Sequence, residues 1–255
     1  MLSFLFDLLF GSSASAPQSP LDGVPWFDEH WMFVGPLLGA AVMLRALISP
    51  SIRSRRLLLL AWSNMPLYTI HQFEEHGFDV FGKRYPFIHY FNDHNPFDAY
   101  VTPRMITIIN ITVAWLVFLL AAWRAERTGD IVPAAFCWGI ALANGVMAHI
   151  LPAFLKQQYN PGVVQSVTLL VPFGLLFIRT LLRQYTQRGK MLVVASLLFG
   201  GPVAHGALLM LPIKLCNAGI LDLTGFSLWM TLGPLIAMAV ASRLLGKYKA
   251  SEHEY

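Results

Sequence analysis

The chain has 255 residues, of which 56% are hydrophobic and only 13% charged, with a formal net charge of +4. So little polar side chain cannot cover a soluble globule of this length, which excludes a soluble domain and predicts a bilayer protein. The small positive balance does not call for nucleic acid as a partner, because the basic residues cluster where they would orient helices beside a membrane.

Residues 1–30 read as an interfacial lead-in and flexible tether. The first ten are apolar but include Asp7 and lack a basic start, and Gly11 to Pro25 is rich in Ser, Pro and Gly. Residues 31–246 then form one all-α domain, a polytopic membrane helix bundle of about seven transmembrane helices, followed by a tail at 247–255. Spans are predicted at Trp31 to Ile48, Leu57 to Gln72, Met105 to Trp123, Ile131 to Leu151, Val163 to Leu182, Met191 to Pro212 and Phe226 to Leu244. Asn64, Pro66 and His71 interrupt the second. With the connections assigned alternately, thirteen of the eighteen lysines and arginines fall on one side. By the positive-inside rule the amino terminus is non-cytoplasmic and the carboxyl terminus cytoplasmic. A bacterial inner membrane and a eukaryotic internal membrane both fit. Cys137 and Cys216 lie in or beside spans without metal-ligand spacing, so no disulfide framework is expected.

Between the second and third spans lies an outer loop, residues 77–104, with Pro86, Pro96, Pro103 and eight aromatics from Phe78 to Tyr100. A segment this broken does not span. It reads either as a lid over a site or as an aromatic belt at headgroup level, and it carries His89 and His94.

The second span closes on His71-Gln72-Phe73-Glu74-Glu75-His76. Ionisable groups at the end of a membrane helix point to a functional site. At about 100° per residue, Glu75 lies one turn beyond His71 on nearly the same face, Glu74 flanks that face, and His76 points away. Adjacent carboxylates resist ionising together, leaving one proton to donate. Glu75 is therefore the expected proton donor, Glu74 its partner carboxylate and His71 the orienting or relaying group. The same spacing suits a divalent metal, Zn or Fe, held by His71, Glu75, His149 and His205. The His-Glu-x-x-His pattern of zinc proteases is absent.

At the same predicted depth lie Asn110, Asn144, His149 and His205, which form the expected pocket. Five residues separate Asn144 from His149, which a regular helix would turn well apart unless Pro152 distorts its end. Tyr159-Asn160-Pro161-Gly162 reads as a tight type II turn on the same face, with Tyr159 a hydrogen-bonding neighbour of the site.

Three signals stand together: His71-x-x-Glu74-Glu75, Asn144 with His149, and Tyr159-x-Pro161-Gly162. They resemble the HXXEE family of integral membrane proteins, over the stretch from the second to the fifth span. The resemblance implies a membrane protein with enzymatic activity of unassigned chemistry. His205 and the aromatic loop lie outside it.

The expected function is a membrane-embedded enzyme whose Glu75, Glu74 and His71 centre acts by acid–base catalysis on an isoprenoid or other lipid-like substrate entering from the bilayer, by cyclisation or isomerisation. The alternatives are a metal-dependent hydrolase or oxygenase with His/Glu ligands, and a transporter or receptor without chemistry. The largely apolar inner halves of the spans disfavour a continuous polar path.

Overall fold

In the computed structural model, residues 25–95 and 98–245 are described, except for the side chains of residues 186 and 188. Most of the lead-in and the whole tail lie outside the described residues. Among the described residues, six helices are long and apolar enough to cross a membrane: α1 (Trp26–Ile48), α4 (Pro103–Thr128), α5 (Val132–Lys156), α6 (Val163–Tyr185), α7 (Gly189–Asn217) and α8 (Leu223–Leu245). Between them stand α2 (Arg56–Gln72), continued by a wide π turn at Phe73–Gly77, and the short α3 (Pro86–His94). Among the described residues the fold is all-α, with one isolated β-bridge between Phe78 and Arg84.

Helix α1 starts five residues before the expected Trp31, taking Trp26 to His30 out of the tether. Its first turn is tied down by ion pairs from Arg104 to Asp28 at 3.2 Å and from Arg84 to Glu29 at 3.0 Å. Local signals set other ends. Thr102 accepts a hydrogen bond from Met105 N ahead of Pro103, and Gly129, at φ 73°, closes α4. The α6 to α7 connection doubles back: a Cβ on Gly189 would lie 3.1 Å from the carbonyl oxygen of Leu181, although residues eight apart in a straight helix stand about 12 Å apart.

Helix α2 is not among the six because it is only 17 residues long and Asn64, His71 and Gln72 lower its hydropathy. Fourteen of its seventeen residues are buried, so its neighbours are protein on every side and strong lipophilicity is not required of it. Close approach of α1 depends on Gly35 and Gly39, a small-xxx-small pair: a Cβ at Gly39 would meet Thr69 Oγ1 and the Pro66 backbone. In the same way α5 and α7 touch backbone to backbone at Gly139, Ser196 and Gly200. The outer helices turn Leu37, Leu44, Leu175, Val194, Leu228 and Ile236 outward, a surface suited to lipid rather than water.

Candidate functional site

Among the described residues five of the helices widen to π geometry: α2 at Phe73–Gly77, α4 at Asn110–Val117, α5 at Asn144–Ile150, α6 at Ser166–Leu170 and α7 at Phe199–Met210. Such segments, with i to i+5 hydrogen bonding, recur at functional sites. They account for two pairs that regular helical geometry separates by about 140°. His71 and His76 are five apart, as are Asn144 and His149, and all four converge on Glu75 or on each other. His76 therefore points inward, not away, which corrects the expectation from a uniform helix.

Glu75 is the centre. Its carboxylate has His149 Nε2 at 2.9 Å, His71 Nε2 at 3.5 Å and His76 Nε2 at 3.5 Å, and all four residues are buried. The Asn144 amide lies 3.0 Å from His71 Nε2 and 3.3 Å from His149 Nε2. The rings of His71 and His149 meet edge to face at 4.7 Å between centroids. One ligand atom from each of His71, Glu75 and His149 falls within 4.8 Å of the others.

The turn after α5 closes the back of this cluster. Pro152 has no N–H for the carbonyl four residues earlier, and that oxygen, on Ala148, instead accepts Asn160 Nδ2 at 2.8 Å. Asn160 Oδ1 and Pro161 O then face His149 Nδ1 at 3.0 and 2.7 Å. Gly162 has φ 93°, as the turn reading requires, and a Cβ there would come within 2.8 Å of both the His149 and His71 rings.

Glu74 does not share this centre. Its carboxylate accepts hydrogen bonds from Tyr159 Oη at 3.0 Å, Val164 N at 3.2 Å and Gln165 N at 2.8 Å. It caps the start of α6, where backbone N–H groups lack helical partners. The expected Glu74–Glu75 pair is thus replaced by two carboxylates with separate partners, because neighbouring residues on a helix project about 100° apart. Burial and the Glu74 carboxylate push the Tyr159 hydroxyl well up, so it remains a donor.

In front of Glu75 opens a cavity of about 100 Å³, walled by α3, α4, α7 and α8. Its polar lining comprises Glu75, His76, Asn110, Asn144, His205 and Tyr68, and the remainder is apolar, including Val113, Phe118, Leu208 and Met230. His71 and His149 stand behind Glu75, outside the lining. His205 walls the cavity with Nδ1 turned to Gly200 O, five residues back, and does not join the three-residue ligand cluster. The outer loop contributes a cap: Phe87 of α3 lies 5.5 Å from the His76 ring and 5.7 Å from that of His149. His94 is exposed at the end of α3, bonded to Tyr90 O.

A polar chain absent from the sequence reading supports His76. Trp115 Nε1 donates to Gln72 Oε1 at 3.0 Å, Gln72 Nε2 donates to Asn110 Oδ1 at 2.5 Å, and Asn110 Nδ2 lies 3.4 Å from His76 Nε2. Gln72 and Trp115 carried no signal beyond being polar-tipped residues in apolar segments. Asn160 was the unspecified position of the turn motif.

The model of a family described as "Protein of unknown function with HXXEE motif" matches residues 62–177, from α2 into α6. No curated protein and no solved structure matches the chain.

Proposed function

We propose that this HXXEE-domain protein is a membrane-embedded enzyme in which Glu75 exchanges a proton with a lipophilic substrate held in the adjoining cavity. The observation that carries the reading is the 2.9 Å approach of His149 Nε2 to Glu75 Oε1. Because Asn160 Nδ2 is committed to Ala148 O, its Oδ1 and the Pro161 carbonyl can only accept, so His149 Nδ1 bears hydrogen. Two electron-pair donors 2.9 Å apart then need a positive charge between them. A proton on either partner supplies it.

Glu75 faces the cavity and His149 stands behind, which suits Glu75 as the group that gives and takes back the proton and His149 as the group that shares it with the carboxylate between turnovers. Protonation of an alkene carbon by Glu75, followed by return of a different proton from the resulting cation to the carboxylate, is an isomerisation, or a cyclisation if a carbon–carbon bond forms between the steps. No co-reactant is consumed. His71 stands beside the carboxylate, the Asn144 amide bridges the His71 and His149 rings, and Glu74 with Tyr159 fixes α6 behind His149. His205, Asn110 and Tyr68 shape the cavity, whose apolar wall suits an isoprenoid or lipid-like molecule.

In this reading α2 is a seventh, protein-enclosed span. The positive-inside distribution favours a non-cytoplasmic amino terminus and site, in a bacterial inner membrane or a eukaryotic internal membrane. The test compares lipid and metabolite profiles of cells making wild-type or Glu75→Gln protein at equal folded abundance. The reading expects a lipophilic species that depends on wild type; identical profiles would overturn it.

A second reading rests on the three ligand atoms within 4.8 Å. Two imidazoles and a carboxylate suit Zn or Fe in a hydrolase or oxygenase, and the carbonyl-bound His149 Nδ1 is the usual support for a ligating ring. It ranks second because His71 Nδ1 has no partner of that kind. Stoichiometric metal in the purified wild type, lost in Glu75→Ala, would put it first.

A further inference from the structure

Away from Glu75, toward the end of α4, lies a second cavity, a groove of about 170 Å³ between α4 and α8. Leu120, Ala121 and Arg124 of α4 and Leu235, Met238 and Ala239 of α8 line it, each set spaced as one stripe of its helix. Pro133, in the first turn of α5, also lines it, which sets the groove at the level where α4 ends and α5 begins. It shares no lining residue with the Glu75 cavity, and Arg124 stands about 20 Å along α4 from Asn110. The groove opens on the lipid-facing surface: Leu120 is 38% exposed, and Leu116, Ile236 and Val240, next to lining residues in the chain, are exposed as well.

One end of this apolar groove is basic. Arg124 Nε and Nη2 reach Asp130 Oδ2 at 3.1 and 3.0 Å, and Asp130, fully buried, also accepts a hydrogen bond from Val132 N at 3.2 Å. The carboxylate fixes the guanidinium in place, while the arginine side chain stays 45% exposed and Nη1 has no partner among the described residues. That pair is neutral, so net positive charge must come from its neighbours. Continued by one turn, the groove-facing stripe of α4 reaches Arg127, three residues after Arg124, and that of α8 reaches Arg243, four after Ala239. Both are exposed, and neither has an ion pair among the described residues. Helix α8 carries no carboxylate, and Glu126, the only one in α4, is engaged by Arg45 at 2.9 Å. An apolar groove that ends in uncompensated arginines complements a hydrocarbon tail with an anionic head.

We propose that the groove between α4 and α8 binds one anionic glycerophospholipid, with an acyl chain lying between the helices and the phosphate held by Arg124 Nη1, Arg127 and Arg243. Several guanidiniums around one head suit phosphate, whose oxygens can each accept a charge-assisted bond. With the orientation proposed above, the head lies in the cytoplasmic leaflet, where anionic lipids concentrate. The site does not depend on proton transfer by Glu75. Its lipid would join α8, which lies beyond the residues matched by the family model, to α4 within them.

The test measures lipid binding without turnover. Purified full-length protein in detergent is titrated with phosphatidylglycerol or phosphatidylcholine of the same acyl chains, and bound lipid is counted by native mass spectrometry. Both ends of the bundle are accessible in detergent, so the result does not depend on orientation. Wild type is expected to bind one phosphatidylglycerol about tenfold more tightly than phosphatidylcholine. Arg127→Gln with Arg243→Gln should erase that preference, and Ala239→Trp, which fills the groove and keeps the charges, should lose the first phosphatidylglycerol. Arg53→Gln with Arg56→Gln, an equal loss of charge at exposed positions outside the groove, should retain both. Equal affinities in wild type, a preference that survives the groove pair or falls equally in the control pair, or binding that survives Ala239→Trp would overturn the site. Oleate competing as well as phosphatidylglycerol would overturn the phospholipid assignment. Should the groove variants fail to fold, wild type decides: phosphatidylglycerol with a diazirine in its acyl chain should label the α4 and α8 peptides of the groove above all other lipid-facing segments, and even labelling would overturn the proposal.

Discussion

Gly162→Ala tests whether the turn after α5 holds the two histidines in place. At φ 93° an L side chain is strained, which costs about 1–2 kcal/mol. The new methyl group would also lie 2.8 Å from His149 Nδ1 and Cε1 and from His71 Cε1. Neither ring can swing away freely, since His149 is held at both nitrogens and His71 lies against it. Overpacking of this kind costs about 1–3 kcal/mol, for a total of about 2–5 kcal/mol. Gly82 provides the control: its φ is 77°, yet nothing lies within 4 Å of an added Cβ, so Gly82→Ala should show the backbone strain alone. Reversible unfolding of both variants in mixed micelles would measure the difference. Equal losses, or a smaller loss for Gly162→Ala, would refute the claim that the turn packs against the histidine pair.

Glu74→Ala should destabilise the fold by about 2–4 kcal/mol, because Tyr159 Oη and two α6 N–H groups lose a charged acceptor, with Glu74→Gln intermediate; equilibrium unfolding checks this, and an unchanged stability would mean that the cap is not formed. Asn160→Ala should cost about 1–3 kcal/mol and broaden the His149 ¹⁵N signals, since Ala148 O and His149 Nδ1 each lose a partner. The folded-state pKa of Tyr159 is raised, so its stabilising contribution is complete below the unfolded value of about 10 and is lost as pH climbs above it. A tyrosinate absorbance titration should therefore show the same step near pH 10 in wild type and Tyr159→Phe, and a smaller step in the variant would contradict the shift.

The outer six helices were legible because lipid-facing segments must be apolar over a bilayer's thickness, and observed ends fall within a few residues of those read from hydropathy, proline and glycine. Helix α2 follows a different rule, being enclosed by protein, so Asn64 and His71 weaken its signal without weakening its place. The approach of Glu75 to His71 followed from a spacing of four. His76 with His71, and His149 with Asn144, did not follow, because a spacing of five pairs side chains only where the helix widens. The turn at Gly162 was readable from its residues, but Asn160 gained its role from a carbonyl freed by Pro152 eight residues earlier. The partners of Glu74 were hidden for a related reason: its donors come from Tyr159 and the start of α6, a contact no local pattern announces.

Proton exchange between Glu75 and a lipophile can be followed through the solvent. Chelator-washed membranes containing wild-type protein, incubated in D₂O with a total lipid and isoprenoid extract, should yield a species carrying carbon-bound deuterium, and Glu75→Gln membranes should not. Deuterium absent from every extracted lipophile with wild type, or present equally with Glu75→Gln, would contradict the assignment of proton transfer to Glu75.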